Sequence, residues 1–360
     1  MKLTESEKRF LNLIGTNPSL SRSELQNLLE YKRETTVSSK LSNLREAGYI
    51  KGPYYHIDLN AMGKNPVYNT IAVIRFDPQQ YDTVFKAARS IDYWEWIFPT
   101  IQGDTLFTFF RSSNSGYLTR LFNLLKHSGL IEYHSYTSQN RWVVQNPDFF
   151  GSIFPQVTSL FDAVNIDSKY PEKNNDTRWR PIDLKIMQYL QVKTCSIGEI
   201  QKMEKKATGR FWRRHEIKYS IQKIINAGIA EGKHYNISPY PRGECYAFLL
   251  LVEGDSEDII RFMVNFGKKC RLYKTFTWGE EVGFVWCWTN PQIGPVLMKS
   301  LDGLRPQVEV RCLQLKSAEH GDTLKKSFNE EHFDIEEQRW TFSFRKYEKK
   351  VLEIIEKRKE

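Results

Sequence analysis

Over the first sixty residues the apolar side chains recur at helical spacing. Phe10, Leu11 and Ile14 form one stripe, Leu25, Leu28 and Leu29 a second, and Val37, Leu41 and Leu44 a third. Recurrence at three and four residues places such positions on one helix face. Ser21 with Glu24 three residues later is a capping-box start for the second helix, and Gly48 stops the third. A short strand pair is expected around Tyr54 to Ile57, completing a winged helix-turn-helix. The period then changes. YNTIAVIRF (68–76) predicts a strand, Gln79 to Ser90 a helix, 94–101 and 104–111 two strands, Asn114 to His127 a helix and Leu130 to Tyr136 a last strand. That order, βαββαβ, is the ferredoxin-like split βαβ.

The pattern then repeats. VSSKLSNLREAGYIKGPYYHIDLNAMG (37–63) aligns without gaps on IKYSIQKIINAGIAEGKHYNISPYPRG (217–243). At this constant offset, Val37, Leu41 and Leu44 match Ile217, Ile221 and Ile224, and Ala47-Gly48 matches Ala227-Gly228. SRSELQNLLE from Ser21 aligns with SIGEIQKMEK from Ser196, and NRWVV from Asn140 echoes QRWTF from Gln338. The second copy also reads βαββαβ: CYAFLLLVE, a helix from Ser256, LYKTFTW, VGFVWCWT, a helix near Pro295 to Leu301 and VEVRCLQL. Self-similarity of this length means two copies of one unit. The expected fold class is α+β, a tandem repeat of a winged helix-turn-helix followed by a ferredoxin-like βαββαβ domain. The divisions are 1–63 and 64–165 for the first unit, a polar linker at 166–180, 181–243 and 244–343 for the second, and a basic helix at 344–360. In that helix Phe344, Tyr347, Val351 and Ile354 share a face.

Composition narrows the function classes. With 40% hydrophobic residues the 360-residue chain is not a disordered one. Its 52 Lys and Arg against 43 Asp and Glu leave it at +9, a balance that favours polyanionic partners. Five scattered cysteines (Cys195, Cys245, Cys270, Cys287, Cys312) without a C-x-x-C argue against a disulfide framework and a zinc ribbon. No metal or cofactor is expected. The apolar runs are too short to span a bilayer, and MKLTESEKRF lacks a signal-peptide core. The expected location is cytoplasmic, with no membrane partner.

A winged helix reads duplex DNA by laying its third helix in the major groove. In the first unit Val37, Leu41 and Leu44 point inward, leaving Thr35, Thr36, Ser38, Ser39, Lys40, Ser42 and Asn43 available, with Lys32 and Arg33 at the helix entrance. Short hydroxyls and an amide suit base edges and phosphates. The second unit carries seven Lys and Arg against two Glu between Lys202 and Lys218, with Phe211, Trp212 and His215 interleaved. There Arg210, Arg213, Arg214 and Lys218 are candidate phosphate contacts, setting affinity more than sequence choice. The bland account of both helices is a solvated polar face, with Phe211 and Trp212 packed on the core.

GYIKGPYYHIDLNAMGKNPVYNTIAVIRFD, from Gly48, resembles the junction in the Lrp/AsnC (feast-or-famine) regulators of bacteria and archaea, where a helix ending in Gly leads through a wing and a Leu-Gly turn into a ligand-sensing βαββαβ domain. GIAEGKHYNISPYPRGECYAFLLLVE keeps the outline, with Pro241 and Glu231 departing from it. The resemblance implies a double-stranded DNA-binding transcriptional regulator with two non-identical winged helices, and an amino acid or similar small molecule as candidate effector. No ligand residue carries over. The family's glycine-containing ligand loop has at most a partial counterpart in Gly103-Asp104 and Gly279-Glu280, and a structural turn is the stronger reading of both pairs.

Siroheme decarboxylases resemble the same two-domain unit, and there histidines near the haem-like substrate matter. The seven histidines here (His56, His127, His134, His215, His234, His320, His332) form no H-x-x-x-H or other metal spacing. His56 and His234 fall in the two wing strands at adjacent rather than equivalent positions. No P-loop, nucleophile elbow or dinucleotide fingerprint is present. The expectation is therefore a regulator and not an enzyme, with a siroheme-decarboxylase-like enzyme or a protein-interaction adaptor as the alternatives.

Assembly follows from the duplication. The strands carry Trp94, Trp96, Phe107 and Phe109 in one copy and Phe284, Trp286 and Trp288 in the other. An aromatic face of that size is rarely left in water. The two sheets are expected to cover each other inside one chain as a pseudo-dimer, with further homodimerisation left open. The bland account closes each sheet with its own flanking segment, 149–161 or the stretch after Phe344.

Overall fold

The first unit begins with three helices, α1 (Glu5–Thr16), α2 (Arg22–Leu28) and α3 (Glu34–Glu46), followed by β1 (Ile50–Ile57). Its second part is β2 (Tyr68–Arg75), α4 (Tyr81–Ser90), β3 (Trp94–Pro99), β4 (Thr105–Ser112), α5 (Ser115–His127) and β5 (Glu132–Ser138), with a short β6 (Val143–Gln145) after it. The second unit repeats the order as α6 (Pro181–Val192), α7 (Ile197–Thr208), α8 (Arg214–Asn226), β7 (Ala230–Ile237), β8 (Tyr246–Gly254), α9 (Ser256–Asn265), β9 (Tyr273–Trp278), β10 (Val282–Thr289), α10 (Gly294–Asp302) and β11 (Val308–Leu315). A tail adds β12 (Leu324–Lys325), β13 (Phe333–Asp334), β14 (Arg339–Trp340) and α11 (Phe344–Lys357). This computed structural model describes residues 3–138, 143–146, 148, 151–154, 156–165, 177–192, 196–304, 307–316 and 324–358. Most of the expected linker, Cys195, His320 and the start of the 149–161 segment lie outside the described residues.

The expected fold class is the observed one. Capping boxes at Thr4/Glu7 and Ser21/Glu24 start α1 and α2. Gly48 at φ 78° and Gly228 at φ 69° end α3 and α8 in the left-handed region. Each βαββαβ part forms an antiparallel sheet, with strand orders β12-β3-β4-β2-β5 and β11-β8-β10-β9-β6. The inner strands are buried on both faces, which is why they read as unbroken apolar runs.

The units exchange parts at three levels. Each sheet takes an edge strand from the other unit: β12 pairs with β3, and β6 with β9. The helical layers exchange covers as well. Tyr347, Val351 and Ile355 of α11 are buried against the first unit's α4 and α5, while Leu160 is buried in the second unit's core. Asn265 of α9 donates Nδ2 to the carbonyls of Leu160 and Asp162, at 3.2 and 2.9 Å.

The third exchange corrects an expectation. Among the described residues, no strand hairpin forms inside either winged helix. Instead β1 pairs antiparallel with β7 in a two-stranded ribbon that joins the units. Each wing strand offers one edge, and the other copy's strand is the partner that satisfies its backbone groups. The helix cores are consequently shared. Ile237 of β7 is buried with Phe10, Val37 and Leu44, and Tyr55 and Ile57 of β1 are buried with Leu184, Ile217 and Ile224.

The sheets face one another as the pseudo-dimer requires. Ile71, Phe98, Phe107 and Phe109 are buried in one cluster with Leu249, Tyr273, Phe284 and Trp286. The Phe107 and Phe284 rings lie 6.0 Å apart, and Phe98 and Trp286 5.4 Å. The flanking segments do close the outer sides, but each closes the opposite unit's. Among the described residues no helix is long and apolar enough to cross a membrane.

Candidate functional site

Where the ribbon crosses the ends of the two sheets, a partly open cavity of about 260 Å3 remains. The ribbon supplies Tyr55, His56, Gly232, His234 and Asn236. The first sheet supplies Glu95, Trp96, Phe109 and Arg111, with Lys325 and Lys326 from the exchanged β12 end. Tyr273, Thr275 and Trp286 line the second sheet's side, where the exchanged β6 adds Val143 and Val144. Gln191 and Val192, at the end of α6, complete the wall. Trp96 and Thr275 hold the same place in the two sheets, opposite Phe109 and Trp286 respectively, so the cavity lies where the copies meet.

Strict β alternation would send only every second residue inward. Two irregularities break it. The ribbon register shifts between Tyr55 and Ile57, and both Tyr55 and His56 reach the cavity. The β3–β4 register shifts between Trp94 and Trp96, and both Glu95 and Trp96 reach it. Bulges commonly re-aim side chains in this way beside functional sites. Gly52, at φ +104°, serves the same ribbon: a Cβ there would lie 3.1 Å from the His234 carbonyl oxygen.

Cations dominate the charge. Among the described lining residues, Arg111, Lys325 and Lys326 stand against one carboxylate, Glu95. Arg111 Nη1 lies 3.5 Å from Glu95 Oε1, and its guanidinium carbon is 5.3 Å from the Phe109 ring centre. Lys325 Nζ stands 5.3 Å over Trp96. Lys326 is tethered by the Asp92 carboxylate and by the Asp92 carbonyl at 2.9 Å. Burial works against the Asp92 charge, but hydrogen bonds from Lys326 and Asn329 outweigh it and hold its carboxyl below the usual range. Burial, and then Lys325, push His234 down to about 4, which leaves the imidazole neutral at pH 7.

Several buried polar atoms of the wall have no hydrogen-bond partner among the described residues: Trp286 Nε1, Thr275 Oγ1, Asn236 Oδ1, Gln191 Oε1, and Arg111 Nε and Nη1. Buried groups of this kind are normally satisfied, and each one left bare costs roughly 1–3 kcal/mol. Their gathering around one void fits a polar ligand or ordered water. No group of His, Cys, Asp or Glu among the described residues is arranged to hold a metal ion.

The residues expected to contact DNA lie elsewhere. Lys32, Arg33, Thr35, Ser39 and Asn43 are exposed on and before α3, and Thr36 and Ser38 are half-buried. Lys40 turns inward to Glu7, at 3.1 Å, while Ser38 Oγ donates to the Glu34 carbonyl. In the second unit Arg210, Arg213, Arg214 and Lys218 are all exposed. Phe211 is 67% exposed and not packed on the core, whereas Trp212 is half-buried against it. Gly103 sits at an open turn with φ +77°, and a Cβ on Gly279 would meet the Thr137 carbonyl at 2.7 Å.

His56 and His234 stand in the sequence without a metal spacing, and no local pattern groups Glu95, Arg111, Lys325, Lys326, Gln191, Asn236 and Thr275. One signal was present. Positions 232, 234 and 236 share a strand face, and in a ribbon that face meets the one bearing His56.

No family model and no curated protein matches the chain. Among solved structures, siroheme decarboxylase NirDL aligns over 99% of this chain and 100% of its own, at 11% identity and TM-score 0.49. A transcriptional regulatory protein of the AsnC family from Pyrococcus furiosus aligns over 38% of this chain and 89% of its own, at 16% identity and TM-score 0.31. A transcriptional regulator from Neisseria meningitidis, solved with L-Met, aligns over 48% and 96%, at 11% identity and TM-score 0.32. The chain is thus similar to these regulators over 38–48% of its length and to a decarboxylase over 99% of it. The expectation that it is not an enzyme is corrected here. The full-length alignment is with an enzyme, and the two histidines set aside for lack of local spacing meet in one cavity across the units.

Proposed function

We propose that this chain is an enzyme which binds a polycarboxylated tetrapyrrole of the siroheme class between its two units and decarboxylates it. One observation carries the reading: Arg111, Lys325, His56 and His234 converge between the rings of Trp96, Phe109 and Trp286, in a cavity where buried polar atoms of Arg111, Gln191, Asn236, Thr275 and Trp286 have no hydrogen-bond partner among the described residues. Aromatic walls suit a flat conjugated body. Cations and unpaired N–H groups suit carboxylates. The cavity volume, about 260 Å3, falls below the roughly 300–1,000 Å3 of common small-molecule sites. A macrocycle would enter by one edge, its far side at the mouth.

Decarboxylation breaks a C–C bond, releases CO2 and leaves an electron pair on carbon, delocalised into the conjugated ring until a proton arrives. Arg111 and Lys325 would hold carboxylates that stay, and a histidine would deliver the proton as general acid. Burial and Lys325 keep His234 neutral at pH 7, and the negative charge of a bound polycarboxylate raises its proton affinity. Titrating the purified chain with siroheme tests the reading: a saturable shift of the absorption band supports it, and a spectrum equal to the sum of the components refutes it.

The second reading is DNA binding through the winged helices. Its support is the exposure of Arg210, Arg213, Arg214 and Lys218 around Phe211 and Tyr219, which is 62% exposed. In the first unit Lys32, Arg33, Thr35, Thr36, Ser38, Ser39 and Asn43 would take the corresponding part. The two readings use separate surfaces and do not exclude one another.

A further inference from the structure

Glu95 is 4% exposed and, among the described residues, is the one carboxylate lining the cavity. It is there because of a bulge. Trp94 pairs with Phe110 and Trp96 with Phe109, which leaves Glu95 as the extra residue of β3. The equivalent pair β9–β10 runs in unbroken register from Trp278 opposite Gly283 to Tyr273 opposite Trp288. The first copy alone therefore turns a carboxyl inward at this place. Its relation to Arg111 is unusual: at 3.5 Å the charges offset each other, yet Glu95 Oε1 and Arg111 Nε and Nη1 make no hydrogen bond among the described residues. The guanidinium keeps its donors for something else.

The other charged groups near Glu95 are Lys325 and Lys326 from β12, His56 and His234 from the ribbon, and Asp92 at the turn before β3. Lys326 is already committed to Asp92. A ligand carboxylate that takes the free donors of Arg111 would thus share that cation with Glu95. Two carboxylates sharing one site cannot both stay ionised at little cost, and the proton affinity of one rises.

We infer that Glu95 is a positioning residue that takes up a proton from solvent when a ligand carboxylate binds Arg111, so that anion binding is coupled to proton uptake at this side chain. This rests on the reading of the cavity as a site for a polycarboxylated ligand. Burial already pushes the Glu95 carboxyl up, against Arg111, Lys325 and Lys326, which brings its protonation within easier reach. As the uncharged acid, Glu95 stops competing for Arg111 and can donate to the ligand.

Calorimetry of the full chain with uroporphyrin III, in buffers of different ionisation enthalpy, counts the protons taken up per ligand. Benzene-1,3,5-tricarboxylate serves as a smaller probe. The wild type should take up one proton more than Glu95→Gln, whatever the histidines contribute to both, and the pH dependence of its Kd should be steeper by one proton. Equal uptake by both proteins, with a probe bound, overturns the assignment and leaves the cavity's reading intact. The expected difference with the tricarboxylate, in a protein that ignores uroporphyrin III, supports Glu95 and sinks the tetrapyrrole. Binding of neither probe sinks both.

Discussion

Tyr54 of the first unit lies opposite His234 of the second across the antiparallel ribbon, with ring centres 5.9 Å apart. These two residues occupy the same position in their respective copies, separated by the constant offset of the repeat. Two residues further along, His56 corresponds to Asn236, and both line the cavity. The duplication has thus allowed one face of a symmetric ribbon to diverge into a mixed set of imidazole, phenol and amide.

That divergence makes the histidines separable. His234→Asn and His56→Asn should each retain tetrapyrrole binding within a few-fold, while turnover falls about 100-fold or more for whichever histidine supplies the proton. Absorption titration and single-turnover decarboxylation of the two variants check this. Unchanged turnover in both would remove the histidines from the chemistry.

Acid stability should carry a histidine signature. Burial lowers His234 and His332 to about 4, against 6.5 unperturbed, with Lys325 adding to the first and Asp92 opposing the second. Between these values the unfolded chain binds more protons than the folded one, so stability is full above about pH 6.5 and is lost as pH falls toward 4. His332 stacks on Tyr93 at 3.9 Å and hydrogen-bonds the Tyr347 hydroxyl at 3.1 Å, tying the tail to the first unit. Tm measured from pH 7.5 to 4 should drop less for His332→Phe than for the wild type over this window.

Neither unit should fold alone. A fragment of residues 1–165 lacks β7 for its wing strand, β12 for its sheet edge and α11 for its helical layer, and it bares Phe98, Phe107 and Phe109. Light scattering should find it aggregated or homodimeric. A soluble monomer with native-like stability would contradict the exchanged architecture.

DNA affinity, where the second reading holds, should fall steeply with salt. Each phosphate contact contributes roughly 0.9 to the slope of log affinity against log salt, so Arg213→Ala with Arg214→Ala should flatten it by about two. Asn43→Ala should relax preference at one base position and spare non-specific binding. An unchanged slope would leave the second unit's basic cluster a solvated face.

The fold was legible because its strands and helices are local. VGFVWCWT and VEVRCLQL are strands over the same residues as expected, since an apolar run flanked by turn residues has few other solutions. The sheet-to-sheet pairing was legible from aromatics that one chain could bury only against itself. The exchanges were not. Nothing local to Tyr54–Ile57 says that its partner is a strand 180 residues on, because an edge specifies hydrogen bonding and not its source. The site was hidden for the same reason. Glu95 and Tyr55–His56 reach the cavity through register shifts that strict alternation does not announce, and Lys325 arrives on a strand of two residues.

The most direct test of the account is mass spectrometry of siroheme after incubation with the purified chain, with Arg111→Ala in parallel. The account predicts products that have lost CO2 and gained a proton at the same carbon, formed by the wild type and at least 100-fold more slowly by the variant. Siroheme recovered unchanged after saturating, spectroscopically verified binding would contradict it.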